Sequence, residues 1–376
     1  MSRIQCELVL LSWNQLEHVT RCLESLLRCT DVPSRLLIVD NASEPPVRAL
    51  LRSVRPAGAI EEVQLLQNES NEGFSKGMNR GLRVSTAPYV CLLNNDLVFT
   101  PGWLSPLIAL AEAHPEIGVV HPASNTFGER LPSGMAMDDY AAAIRSKRGV
   151  YGEIGTCVGF CLLIKRDVIH RIGPLNEEIE RLFFEDEDYG MRVQAAGYRC
   201  VIAQDSYVFH AEHQSVKQLP DRDALFQRNR ERCEARWGRW RRVALPWLAW
   251  PPAGSPELRR ILEALLSVVR RRTYLYLYAP RAVVERKDEL FRSVGLAPHG
   301  DVIWYAMPSY GADLAAFGWI LARQKKRFHT VVATSLAWAA ALRGFRWAHR
   351  ARVLQAETPE AFAAAWTDPS PSPSSS

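Results

Sequence analysis

The sequence predicts an α/β protein whose mostly parallel sheet is sandwiched by helices. Two observations carry this expectation. Runs of unbroken apolar character alternate with stretches of helical period, and polar clusters follow the apolar runs. A strand covered on both faces needs apolar side chains at nearly every position, whereas a strand with one wet face alternates.

The elements follow in order. CELVLLSW reads as a buried strand, NQLEHVTRCLESLLRC as an amphipathic helix, and RLLIVDNAS as a second buried strand ending in a polar turn. The helical VRALLRSV leads to VQLLQN, then to the glycine-punctuated helix EGFSKGMNRGLRVS and the apolar strand PYVCLLNND. In such sheets, ligands bind beyond the carboxyl ends of the strands. Those ends carry Ser12, Trp13 and Asn14, then Asp40, Asn41 and Ser43, then Asn94, Asn95 and Asp96. Each type is an ordinary turn or cap residue, but together they converge on one rim.

A dinucleotide dehydrogenase needs a GxGxxG turn after its first strand, and SWNQLEHV has no glycine. Gly73, Gly77 and Gly81 recur at intervals of four, which is neither that fingerprint nor a P-loop; helix packing or close approach to a ligand accounts for them.

A chain of 376 residues has room for two domains, and 47% hydrophobic with 23% charged residues is globular. The eight cysteines are scattered, several within apolar runs, as reduced core thiols are, and Cys157 and Cys161 lack zinc-ligand spacing. The first residues lack signal-peptide features and no apolar run reaches about 18 residues, so a cytoplasmic chain is expected.

FFEDEDYGMR, residues 183–192, places four consecutive acids between aromatic residues. Like charges repel, and partial burial raises their pKa values, which suits a carboxylate acting as a general base.

Taken in order, VLLSWNQLEHVTRCLESL, LLIVDNAS, NEGFSKGMNRGL, YVCLLNNDLVFTPGWL, GFCLLIKRDVIHRIGPLNE, FFEDEDYGMRVQAAGYRC and VFHAEHQS resemble the inverting glycosyltransferases of family 2. The resemblance covers about residues 4–215, is nearest the rhamnosyl- and galactofuranosyl-type branch, and implies a GT-A fold and a nucleotide-diphosphate sugar donor.

It also implies roles. Residues 94–96 stand where the family carries a DxD motif, with Asn94 replacing the first acid and Asp96 matching the metal-binding one. His210 matches a further ligand to Mn²⁺ or Mg²⁺, with His213 as a fallback. Asp186 matches the base and Glu185 its support or an acceptor contact; Asp188 accepts from backbone or pairs with Arg192 one turn later. Asp40 matches the acid reading base or ribose, with Trp13 and Asn14 around the base. Asn71, Asn79, Asn94 and Asn95 fit the family's polar positions, and Lys76 and Arg80 are candidates for the diphosphate. The expected acceptor is a glycan or lipid-linked hydroxyl in cell-surface polysaccharide or glycolipid synthesis. Oligomeric state is not encoded in these motifs.

The expected division is a catalytic domain over 1–225, an Arg/Trp-rich helical linker over 226–256, an accessory α/β unit resembling a GT-B fragment over 257–366, and a disordered tail over 367–376. Seven arginines between 228 and 242, followed by VALPWLAWPP, read either as peripheral membrane contact over 228–250 or as packing at a domain junction. No recognition module accompanies this charge, which argues against nucleic acid. Two other readings are a sugar nucleotidyltransferase, which wants a phosphate loop after the first strand, and a non-catalytic nucleotide-sugar-binding or scaffold protein.

Overall fold

A computed structural model describes residues 4–126, 128, 131–179, 181–211 and 221–366. The chain divides into two compact units, Met1–Ala235 and Arg236–Ser376.

In the first unit, strands β1 (Cys6–Ser12), β2 (Ser34–Asp40), β3 (Ile60–Gln67) and β4 (Tyr89–Leu93) are parallel in the order β3-β2-β1-β4. Leu8, Val9 and Leu10 of β1 are fully buried, and each such side chain contributes about 1.5–3 kcal/mol. The connections are helices α1 (Leu16–Cys29), α2 (Pro45–Ser53) and α3 (Gly73–Val84). Helix α3 packs so closely that a Cβ on Gly77 or Gly81 would stand 2.5 Å from Leu11 Cδ1 or 2.3 Å from Val9 Cγ1. Helix packing therefore accounts for both glycines.

The sheet continues with β5 (Leu97–Phe99), β6 (Ile117–Ala123), β7 (Tyr151–Ile154), β8 (Cys161–Lys165) and β9 (Arg199–His210), giving β4-β8-β6-β9-β5 with β7 also on β9. Parallel pairing holds for β1–β4 and for β6 with β9, while β5, β7 and β8 pair antiparallel with their neighbours. The expected α/β class is observed, with an antiparallel insertion. Helices α4 (Ser105–Ala113), α5 (Met137–Ile144), α6 (Arg166–Ile172), α7 (Glu185–Ala195) and α8 (Arg222–Trp237) complete the unit. All eight cysteines are buried and outside disulfides.

The second unit is a parallel sheet in the order β12-β11-β10-β13-β14, formed by β10 (Arg241–Pro246), β11 (Thr273–Pro280), β12 (Val302–Met307), β13 (Thr330–Ala333) and β14 (Arg352–Gln355). The stretch expected as a helical linker thus supplies the central strand, because Val243–Leu245 is an apolar run buried by its neighbours on both sides. Of the two readings of 228–250, packing describes these tryptophans. Trp240 stacks on Tyr274 at 4.8 Å, Trp250 lies 5.5 Å from Trp304, and Trp247 and Trp250 pack against the core of this unit. Among the described residues, no helix is long and apolar enough to cross a membrane.

Candidate functional site

Parallel register brings the ends of β1, β2 and β4 to one edge: Ser12 pairs with Asp40, and Leu10 with Leu93. A cleft of about 660 Å³ opens there, lined by Trp13, Asn41, Asn71, residues 94–96, Gly159 and Phe160, residues 181–187 and His210.

One side of the cleft holds Asp96 and His210. Antiparallel pairing of β5 with β9 sets Leu97 opposite His210, and Ala211 N–H donates to the Asp96 carbonyl oxygen at 3.0 Å. His210 is held on both sides of its backbone by Asn125, whose Oδ1 accepts from His210 N–H and whose Nδ2 donates to His210 O. Its ring stacks on Phe160 at 5.4 Å and 18°. Nε2 stands 3.3 Å from Asp96 Oδ1, within ion-pair distance. That oxygen is nevertheless buried and accepts no hydrogen bond. A buried carboxylate oxygen without a donor beside a ring nitrogen is a donor set that fits a divalent cation. Among the described residues, no group of three or more His, Cys, Asp or Glu could hold a metal, so an ion at this pair would draw its remaining ligands from water and from substrate oxygens.

The other side is the start of α7. Residues 181–184 approach it through a strained turn in which Arg181, Phe183 and Phe184 have φ of 52°, 75° and 72°. Left-handed backbone at bulky residues costs about 1–2 kcal/mol each, so neighbours must hold it. Asn229 Nδ2 donates to the carbonyl oxygen of Leu182 at 2.9 Å, and Phe226 packs edge-on to Phe183 and tilted against Phe184. Helix α8 thereby braces the turn. Below it, α7 rests on residues 156–157, where a Cβ on Gly190 would lie 2.2 Å from Cys157 N.

This docking aims the acids. Asp186 Oδ2 accepts from Gly159 N–H and its Oδ1 from Glu187 N–H, both at 2.8 Å. Burial pushes its pKa up, against the lowering effect of these bonds. Glu185 is buried, and its Oε2 has no hydrogen-bond partner. Burial, with the charge of Asp186, pushes Glu185 up to about 8. Two adjacent carboxyls with elevated pKa values therefore face a cleft whose other side carries Asp96 and His210.

Other expected residues lie elsewhere. Asp188 and Arg192 form a buried ion pair at 2.9 Å, and Arg192 also donates to Ile172 O, so the pair fastens α7 to α6 away from the cleft lining. Asp40 is fully buried and accepts from Ser43 N–H, while Asn14 accepts from Glu44 N–H; both shape loops behind Trp13 and Asn41. Asn79 bonds Leu175 through both amide atoms, tying α3 to that segment. Lys76 is exposed on a separate depression with Arg80, which donates to Gln67 O and Asn68 Oδ1. His213 lies outside the described residues.

Several lining residues have no individual role in the sequence motifs, although Asn41 stands on the rim expected there. Asn41 accepts from Asn68 Nδ2 and Glu72 N–H and donates to Asn71 Oδ1 and Gly73 O, organising the loop before α3. Gly73 has φ of 79°, and a Cβ there would stand 2.7 Å from Arg181 Cα, so only glycine lets the two loops meet. Phe160 lies in GFCLLIKRDVIHRIGPLNE, a segment that carries the resemblance but assigns it no role, and Phe226 comes from a segment with no motif.

Comparison with known proteins shows what part of this chain is similar to. Residues 8–173 match the family described as glycosyl transferase family 2. An uncharacterised protein, y4gI, of Sinorhizobium fredii is 27% identical over 54% of this chain and 24% of its own length. An N-acetylglucosaminyl-diphospho-decaprenol L-rhamnosyltransferase of Mycobacterium tuberculosis is 25% identical over 54% of this chain and 75% of its own. The succinoglycan biosynthesis protein ExoM of Rhizobium meliloti is 24% identical over 46% of this chain and 55% of its own. The chain thus spans only about a quarter of the first relative and just over half of the third.

Proposed function

We propose, from the premise that residues 8–173 are a glycosyl transferase family 2 region, that this protein moves a sugar from a nucleoside-diphosphate donor to a hydroxyl acceptor with inversion. The single observation carrying this reading is the pair of adjacent carboxyls, buried Glu185 and half-buried Asp186, both raised in pKa and sharing one cleft with Asp96 and His210. The names of two relatives suggest the acceptor class, a lipid-linked glycan or a growing polysaccharide.

In this reading the acceptor oxygen attacks the anomeric carbon as the bond from that carbon to the phosphate oxygen breaks. The electron pair leaves with the nucleoside diphosphate, and the hydroxyl proton passes to the Asp186 carboxylate. Gly159 N–H and Glu187 N–H keep Asp186 oriented, and burial raises its basicity. Glu185, with its elevated pKa, is protonated near neutrality and adds no second negative charge beside the base. Trp13, Asn41 and Asn71 form the donor side of the cleft, where the indole offers a face to a nucleobase. Asp96 and His210 would hold Mn²⁺ or Mg²⁺, which when bound neutralises charge growing on the leaving diphosphate. A base opposite the leaving group gives a single displacement and hence inversion.

The test is a panel of nucleotide sugars incubated with the full chain, Mn²⁺ or Mg²⁺ and a lipid-linked acceptor, recording nucleoside diphosphate with and without EDTA. Metal-dependent release from one donor is expected. Binding of a donor with no turnover for any acceptor would replace this reading with that of a sugar-nucleotide-binding protein.

A further inference from the structure

The second unit carries a surface that the transfer reaction does not use. Its sheet is covered on one face by the helices Ala312–Ala322, Leu336–Gly344 and Arg346–His349, whose inward residues Ala316, Ile320, Ala339 and Leu342 are buried. Their outward residues include large apolar side chains, where a solvated helix layer carries polar ones. Leu314 is 79% exposed, Leu336 71% and Trp347 75%, with Trp319 and Phe345 also exposed. Phe317 links them, packing edge-on against both Trp338 and Phe345.

Charge on this layer is one-sided. Residues 310–350 contain seven Lys or Arg and a single acid, Asp313, which accepts a hydrogen bond from Trp338 Nε1. That is an excess of six positive charges in one segment of a chain whose whole excess is five. Arg343, Arg346 and Arg350 are exposed, with no side-chain hydrogen bond or ion pair among the described residues. The arginines of α8 differ: Arg228 lies 3.8 Å from Asp221, Arg230 3.9 Å from Glu234, and Arg232 donates to Glu178 O.

We propose that this helix layer docks on an anionic lipid surface, with Leu314, Leu336 and Trp347 entering the headgroup boundary and Arg343, Arg346 and Arg350 meeting the lipid phosphates. Exposed leucines gain from such a boundary but have nothing to stack on in a nucleic acid, where aromatic faces and backbone charge do the work. Two copies of the chain would bring like charges face to face. A surface that is both apolar and cationic matches an anionic membrane on both counts.

The experiment uses the full chain and sedimentation with phosphatidylcholine vesicles, with and without phosphatidylglycerol. Binding is expected only with the anionic lipid and should weaken as salt rises. Arg343→Gln, Arg346→Gln and Arg350→Gln together should lower partitioning by about a hundredfold, since each basic residue near such a surface is worth roughly fivefold. Leu336→Ser with Trp347→Ser should lower it without changing the salt dependence. Arg228→Gln, Arg232→Gln and Arg236→Gln on α8 should leave it unchanged. Any of four results would overturn the assignment: no sedimentation with anionic vesicles at low salt, an equal loss in the α8 variant, displacement of vesicles by an oligonucleotide, or a concentration-dependent dimer dissolved by Trp347→Ser. Sedimentation reads nothing of sugar transfer, so its failure leaves the proposed reaction standing.

Discussion

Asn229 in α8 donates its side-chain amide to the carbonyl oxygen of Leu182, three residues before α7 begins at Glu185. The amide is fully buried, and the residues that follow Leu182 are in left-handed conformation. Asn229→Leu keeps the volume and removes the donor. It should cost about 1–3 kcal/mol in a denaturant titration, the usual penalty for an unpaired buried carbonyl. If Asn229 positions the acids, kcat should fall while KM for the donor holds; an unchanged kcat would reduce Asn229 to a structural role.

Asp186→Asn keeps one oxygen for the Gly159 or Glu187 N–H and loses the basic carboxylate. Turnover should drop by about 10²–10⁴, the range for losing a general base, with donor affinity near that of the parent by calorimetry. An active variant would remove Asp186 from the role of base.

Glu185 is held at about 8 in the folded chain, above the roughly 4.3 of an unfolded glutamate. The folded state therefore binds this proton more tightly, and the associated stability is full below the unfolded value and is lost as pH rises towards about 8. Glu185→Gln should remove that loss. Urea midpoints near pH 5 and near pH 9 should differ less in the variant than in the parent. Asp186→Asn should lower the Glu185 value, because the Asp186 charge is the second cause of its elevation.

Asp96→Ala and His210→Ala should each weaken Mn²⁺ binding measured without any sugar nucleotide. The expected loss exceeds the roughly 10–100-fold that follows removal of an outer-shell partner. Unchanged binding in both variants would move the metal away from this pair.

Gly190→Ala tests the seat of α7. The added carbon would overlap Cys157 N and Thr156 Oγ1, at 2.2 and 2.5 Å, so helix and loop must separate. Destabilisation of about 3 kcal/mol or more is expected by thermal unfolding, at or beyond the upper end of ordinary overpacking.

The apolar runs of β1, β2 and β4, the alternating helices and the four acids after Phe184 were legible in the sequence, because each depends on a local pattern. Burial on both faces demands unbroken apolar residues, and parallel crossovers put the carboxyl ends of those strands on one edge. Tertiary structure decided the rest. Whether Asp96 meets His210 depends on the antiparallel register of β5 with β9 across more than a hundred residues, and no periodicity records a register. Asp40 and Asn79 carry the same side chains as binding residues do, yet Ser43 and Leu175 occupy them, and only the packed chain shows which hydrogen bonds are already made. The tryptophans after α8 and those of the second unit's helix layer are equally apolar in the sequence. A neighbouring strand covers Trp240, whereas Trp347 stays open because the described chain places no element over it.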